Sequence, residues 1–93
     1  MKNAEAKYMS EVARLGCMLC RVIGYGETPA ELHHVREGQG MSQRAQNWLV
    51  IPLCPEHHRG SRGLHGNREE LRMAKVDEID LLAMTIEAMN DTR

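Results

Sequence analysis

Ninety-three residues with a formal net charge of −1 make a chain of single-domain size, which buries only about 60–65% of its unfolded surface on folding. Its apolar inventory is thin, with no Phe, one Trp, two Tyr and seven Met, so a structural metal would add stability that the core alone lacks. No stretch approaches the length of a membrane-spanning helix, residues 1–5 lack the apolar run of a signal peptide, and three cysteines that include Cys17-x2-Cys20 argue against a disulfide framework. The expectation is a chain of a reducing cytoplasm with no membrane contact.

In chain order, Asn3 caps a helix running to about Leu15, with Tyr8, Val12 and Leu15 at helical spacing and Gly16 as its stop. Residues 17–20 read as a metal knuckle and residues 24–29 as a loop. Residues 32–35 read as a short strand and residues 37–42, with Gly38 and Gly40, as a flexible connection. Residues 48–51 carry the strongest β signal, with Pro52 at the strand's end. The two strands suggest an irregular hairpin. After Cys54 the sequence predicts a short helix bearing His57 and His58, then a Gly-rich turn. Asn67 and Glu70 resemble a capping box. A last helix starts at residues 77–80, with Ile79, Leu82, Ile86 and Met89 as its buried stripe. Trp48 and the Met residues are expected in the core, and Glu69 and Glu70 as helix N-terminal charges.

All three cysteines and all five histidines fall between Cys17 and His65. Cys17, Cys20, Cys54 and His57 form two Cys-x2-ligand pairs, a set suited to closing a tetrahedron around a structural Zn²⁺. A closed tetrahedron leaves no position for substrate. His33, His34, His58 and His65 form the second set. Adjacent residues of a strand point to opposite faces, so His33 and His34 need different jobs. An open metal site wants two or three ligands, and a hydrolytic site also wants an unligated base near the attacking water. One histidine of the pair can ligate while the other activates water.

These residues resemble the HNH, or ββα-metal, endonucleases. That family's pattern is a first strand ending in His-His or an acidic residue and His, an Asn near the second strand, and a helix bearing a ligating His. The matching positions are His33-His34, Asn47 and His58, with His65 as a late ligand and His57 in place of a knuckle cysteine. More narrowly, residues 53–60 (Leu-Cys-Pro-Glu-His-His-Arg-Gly) and 64–66 (Leu-His-Gly) resemble the phage and prophage recombination-enhancement (Ref-like) nucleases, whose best-known members cut DNA held in a recombinase filament. The resemblance covers about residues 17–66, and the fold expected for residues 1–93 is α+β. A small ββα-metal core at about 17–66 would follow one helix, and a C-terminal helical extension would cover 67–93. It implies that His34 is the general base and that Asn47 orients it. It further implies that His33 and His58 hold a catalytic Mg²⁺ or Mn²⁺, with His65 as third ligand or as donor to the scissile phosphate. The family often places its last ligand four residues after the helix ligand. Here that position is Arg62, and Gly60 and Gly63 argue against a helix continuing to His65.

The implied function is one-metal endonucleolytic hydrolysis of DNA in phage or prophage recombination, inside the cytoplasm of a bacterial host. Residues 33–68 carry five Arg against two Glu, and Arg36, Arg44, Arg59 and Arg62 are the candidate phosphate contacts. The rival readings are a non-catalytic zinc module that binds nucleic acid or a recombination protein, and a scaffold with two structural zincs. An unligated His34 beside a ligand favours the enzyme. Whether the chain works as monomer or homodimer is not written in these residues.

Overall fold

A computed structural model describes residues 3–40, 43, 45–60, 63–66 and 68–91. The elements in chain order are α1 (Asn3–Arg14), α2 (Met18–Ile23), β1 (Glu31–His34), β2 (Val50–Leu53), α3 (Pro55–His58), α4 (Glu69–Ala74) and α5 (Glu78–Asp91). The fold is α+β, a two-stranded antiparallel sheet among helices. Two helices, not the expected one, precede the sheet. The second begins inside the knuckle: Cys17 is its N-cap, with its Sγ accepting from the Cys20 amide. Six residues ending at a left-handed Gly24 leave too short a pattern for helical periodicity to register.

β1 pairs with β2 in the register Glu31↔Leu53, Leu32↔Pro52, His33↔Ile51 and His34↔Val50. β2 thus lies two residues later than its apolar run suggested. Trp48 and Leu49 belong to a turn closed by a hydrogen bond from the Leu49 amide to the Gln46 carbonyl. Pro52 sits inside the strand, which a two-stranded sheet tolerates because each strand is an edge. All four residues of β2 are buried, and α1, α2, α3 and α5 all pack on it. Its run of apolar side chains forms the centre of the core together with Val12, Leu19 and Leu81. Trp48 is not in that core: it is 40% exposed, stacked at a tilt on Tyr8 with ring centroids 5.0 Å apart.

The final helix is rotated from its expected orientation. Its buried residues are Glu78, Leu81, Thr85 and Met89, while Ile79 and Ile86 are exposed. Asp77 and Asp80 cap it reciprocally, each side chain accepting from the other's amide. Apolar spacing alone could not give this rotation, because two of the inward residues are polar. Thr85 donates to the Leu81 carbonyl, and Glu78 finds donors from β1 and the loop after it. α4 starts at Glu69 after Arg68, whose φ is +58°; the proposed cap residue Asn67 lies outside the described residues.

Candidate metal centres and base

Both Cys-x2-ligand pairs are helix starts. Cys17 and Cys54 are the N-caps of α2 and α3, and Cys20 and His57 stand at the third helical position. N-cap and third-position side chains lie side by side, which is why this spacing gathers ligands. Pro55 at the first position suits α3, since its missing N–H has no helical partner. The four side chains form a group that could hold a metal ion. The His57 Nδ1 lies 3.5 Å from the Cys17 Sγ and 3.4 Å from the Sγ of both Cys20 and Cys54. The Cys20 and Cys54 sulfurs are 3.9 Å apart. Burial pushes the Cys20 thiol up to about 12, with the neighbouring Cys17 and Cys54 adding to the rise. Converging thiols and an imidazole of this kind suit a site completed by a cation.

The second group that could hold a metal ion is His33, His58 and His65. Their ring centroids are 5.1, 5.1 and 4.9 Å apart. His33 comes from β1 and is buried, His58 comes from α3 and is half-buried, and His65 is exposed. The group is therefore open on the His65 side. His65 arrives without a continuous helix: the Leu64 and His65 amides donate to the His57 and His58 carbonyls at 2.9 and 3.1 Å. Glycine makes that return possible, for a Cβ on Gly63 would stand 2.3 Å from the His57 carbonyl oxygen and one on Gly60 2.5 Å from that of Glu56. Burial holds the His33 imidazole below its usual range, and burial with the nearby His58, Arg36 and Arg68 does the same for His65. Neutral imidazoles are the form that ligates.

His34 is in neither group. Its Nε2 donates to the Asn47 Oδ1 at 2.9 Å, and the Asn47 Nδ2 donates to the Glu5 Oε2 at 3.1 Å. Glu5 thus fixes which way the amide points, and the amide fixes Nε2 as the protonated nitrogen of His34.

Glutamates on other elements hold three of the cluster histidines, and sequence reading missed all three pairings. The Glu78 Oε2 accepts from the His33 Nε2, Glu31 pairs with the His58 Nδ1 at 2.7 Å, and Glu70 with the His57 Nε2 at 3.2 Å. Hydrogen bonds from Arg59 and His58 lower the Glu31 carboxyl to about 2. Burial would raise that of Glu78, but donation from His33 and from the Arg36 and Glu37 amides outweighs it and lowers the pKa. The sequence presents Glu70 as a capping-box member and a helix N-terminal charge, not as a partner of His57. The one local signal was its capping-box spacing, and that points to a different partner.

Among the candidate phosphate contacts, Arg59 spends its guanidinium on Glu31 in a bidentate pair at 2.7 and 2.9 Å. Arg36 is exposed beside the histidine group, and Arg44 and Arg62 lie outside the described residues. A groove of about 770 Å³, lined by Lys7, Tyr8, Arg14, Arg21 and Trp48 among others, contains none of the clustered ligands. No helix among the described residues is long and apolar enough to cross a membrane.

The fold is small and α+β, with one group of thiols and imidazole and one group of three imidazoles that could each hold a metal ion. Comparison with known families makes the class specific: residues 2–89 match the family described as recombination enhancement, RecA-dependent nuclease. The chain belongs to that family, which makes it a nuclease with a role in recombination. No curated protein and no solved structure matches it.

Proposed function

We propose that the chain is a metal-dependent DNA endonuclease of HNH type, hydrolysing phosphodiester bonds with His34 as general base. The observation that carries this reading is the split of the His33-His34 doublet: His33 joins two imidazoles in a metal-competent group, while His34 is held by an amide outside it. The unit of function is the whole of residues 1–93. It acts in the cytoplasm of a bacterial host, on DNA and with a recombinase filament as partner.

The first group takes Zn²⁺. A tetrahedron with Zn–S of about 2.3 Å and Zn–N of about 2.0–2.1 Å has S···S edges of about 3.8 Å and S···N edges of about 3.6 Å. The 3.9 Å between the Cys20 and Cys54 sulfurs and the 3.4–3.5 Å from sulfur to nitrogen fit that donor set. Cys17, Cys20, Cys54 and His57 would hold it, tying the start of α2 to that of α3. His33, His58 and His65 would hold Mg²⁺ or Mn²⁺, which when bound supplies charge neutralisation at the phosphate and leaving oxygen.

The remaining work falls to the chain's own side chains. With Nε2 protonated toward Asn47, His34 keeps the lone pair of Nδ1 to take a proton from water. The water oxygen then bonds to phosphorus as the bond to the 3′ oxygen breaks. Glu5 keeps Asn47 from flipping and so keeps His34 in the basic tautomer. Arg36 stands exposed for a neighbouring phosphate.

The test is cleavage of single-stranded, duplex and recombinase-coated DNA with Mg²⁺ or Mn²⁺, comparing wild type with His34→Ala. Loss of about 10²–10⁴-fold in rate is expected, with bound zinc and helicity unchanged. Undiminished cleavage by His34→Ala would end the mechanism. No cleavage of any DNA form by the wild type would favour a non-catalytic module.

A further inference from the structure

Glu78 accepts three hydrogen bonds beside the histidine group, yet it belongs to α5, outside the β1–β2–α3 unit that supplies most ligands. Only 3% of it is exposed. Its Oε2 accepts from the His33 Nε2 and, at 2.8 Å, from the Arg36 amide; its Oε1 accepts from the Glu37 amide, also at 2.8 Å. One carboxylate thus ties together the ring of a candidate ligand, the backbone leaving β1, and the first turn of the last helix. His33 is buried and Arg36 is exposed, so the same group fixes a ligand inside and the start of a surface loop.

We infer that Glu78 is a positioning residue for the reactive cation. It holds the His33 imidazole in one tautomer and one rotation, and it fixes the loop carrying Arg36 relative to that ring. A carboxylate accepting the far N–H of a ligating imidazole orients the ring and makes its other nitrogen a better donor, and losing such a partner costs about 10–100-fold in metal affinity. Nothing else among the described residues hydrogen-bonds to that ring. The C-terminal helix is on this account part of the metal centre and more than a cover for the core. The inference rests on His33, His58 and His65 being a cation site.

The test is calorimetric titration of Mn²⁺ into the full chain with its cysteine site filled by zinc, for wild type, Glu78→Gln and Glu78→Ala. Glutamine keeps the size of the side chain but offers one acceptor oxygen where Glu78 uses two, so Glu78→Gln removes the charge and at least one of the three hydrogen bonds, and zinc content reports whether the fold survives. Wild type is expected to bind one Mn²⁺, and Glu78→Gln to bind it about 10–100-fold more weakly with zinc content unchanged. Excess Mn²⁺ should restore DNA nicking by Glu78→Gln toward the wild-type rate, a rescue that merely structural damage would not permit. Equal Mn²⁺ affinity in wild type and Glu78→Gln overturns the inference and leaves the proposed function standing. Absence of any Mn²⁺ site in the wild type overturns both. A third readout needs no variant: nitrogen NMR of His33 in the wild type should show Nε2 protonated. The opposite tautomer would overturn the assignment even if both variants failed to fold.

Discussion

The two candidate ligand groups share only histidine and sit one peptide bond apart at His57 and His58, and they are built differently. The cysteine group has three of its four members buried and draws its ligands from two helix starts. The histidine group grades from buried His33 to exposed His65 and draws from a strand, a helix and a returning loop. Four converging donors, three of them buried, enclose one; three donors with an exposed member leave the other open. Enclosure is what separates a centre that stabilises a fold from one that can admit a substrate.

That contrast can be broken by experiment. Cys54→Ser should do the most damage, because structural zinc supplies about 10–16 kcal/mol of apparent binding energy in small domains. The expected outcome is loss of a cooperative thermal transition by circular dichroism. Stepwise chelation should then separate the groups in time, abolishing DNA cleavage while helicity persists, with unfolding only at stronger chelation. Simultaneous loss of both signals would mean that the two centres are not distinct in kind. Gly63→Ala tests the return loop: its Cβ would meet the His57 carbonyl at 2.3 Å. It should cost about 1–3 kcal/mol in denaturant-derived stability and weaken Mn²⁺ binding by displacing His65. Glu70→Gln should reduce zinc affinity by about 10-fold or more in a competition assay, with a smaller loss of Mn²⁺ affinity passed on through His58. Arg59→Ala breaks only an exposed pair with Glu31, so the melting temperature should not move measurably.

The ligands were legible in the sequence because both knuckles are local: an N-cap and a third-position residue are neighbours in any helix that starts there. The return of His65 was half legible. Gly60 and Gly63 signalled the break in the helix, but the two backbone bonds that bring His65 beside His58 depend on the fold. The carboxylate partners were hidden for a different reason. Glu78 and His33 are 45 residues apart, Glu31 and His58 27, and Glu5 and Asn47 42. No periodicity connects such residues; only the antiparallel pairing and the packing of α1 and α5 bring them together. The rotation of α5 was missed for the same cause. Apolar spacing favours Ile79 and Ile86 as the inward face, but the three donors that Glu78 meets inside turn the helix the other way.

The chain contains two histidine doublets, and in each the neighbours serve different masters. Between His57 and His58 the spacing is a single peptide unit of about 3.8 Å, with the thiol centre on one side and the imidazole centre on the other. That unit is a mechanical joint. A twist of α3 that relaxes the thiol tetrahedron must turn His58 as well, and Leu64 and His65, tied to the carbonyls of the same two residues, must follow. A loosening of the thiol group that stops short of the collapse expected for Cys54→Ser should therefore be felt first as sluggish chemistry, before any helix melts.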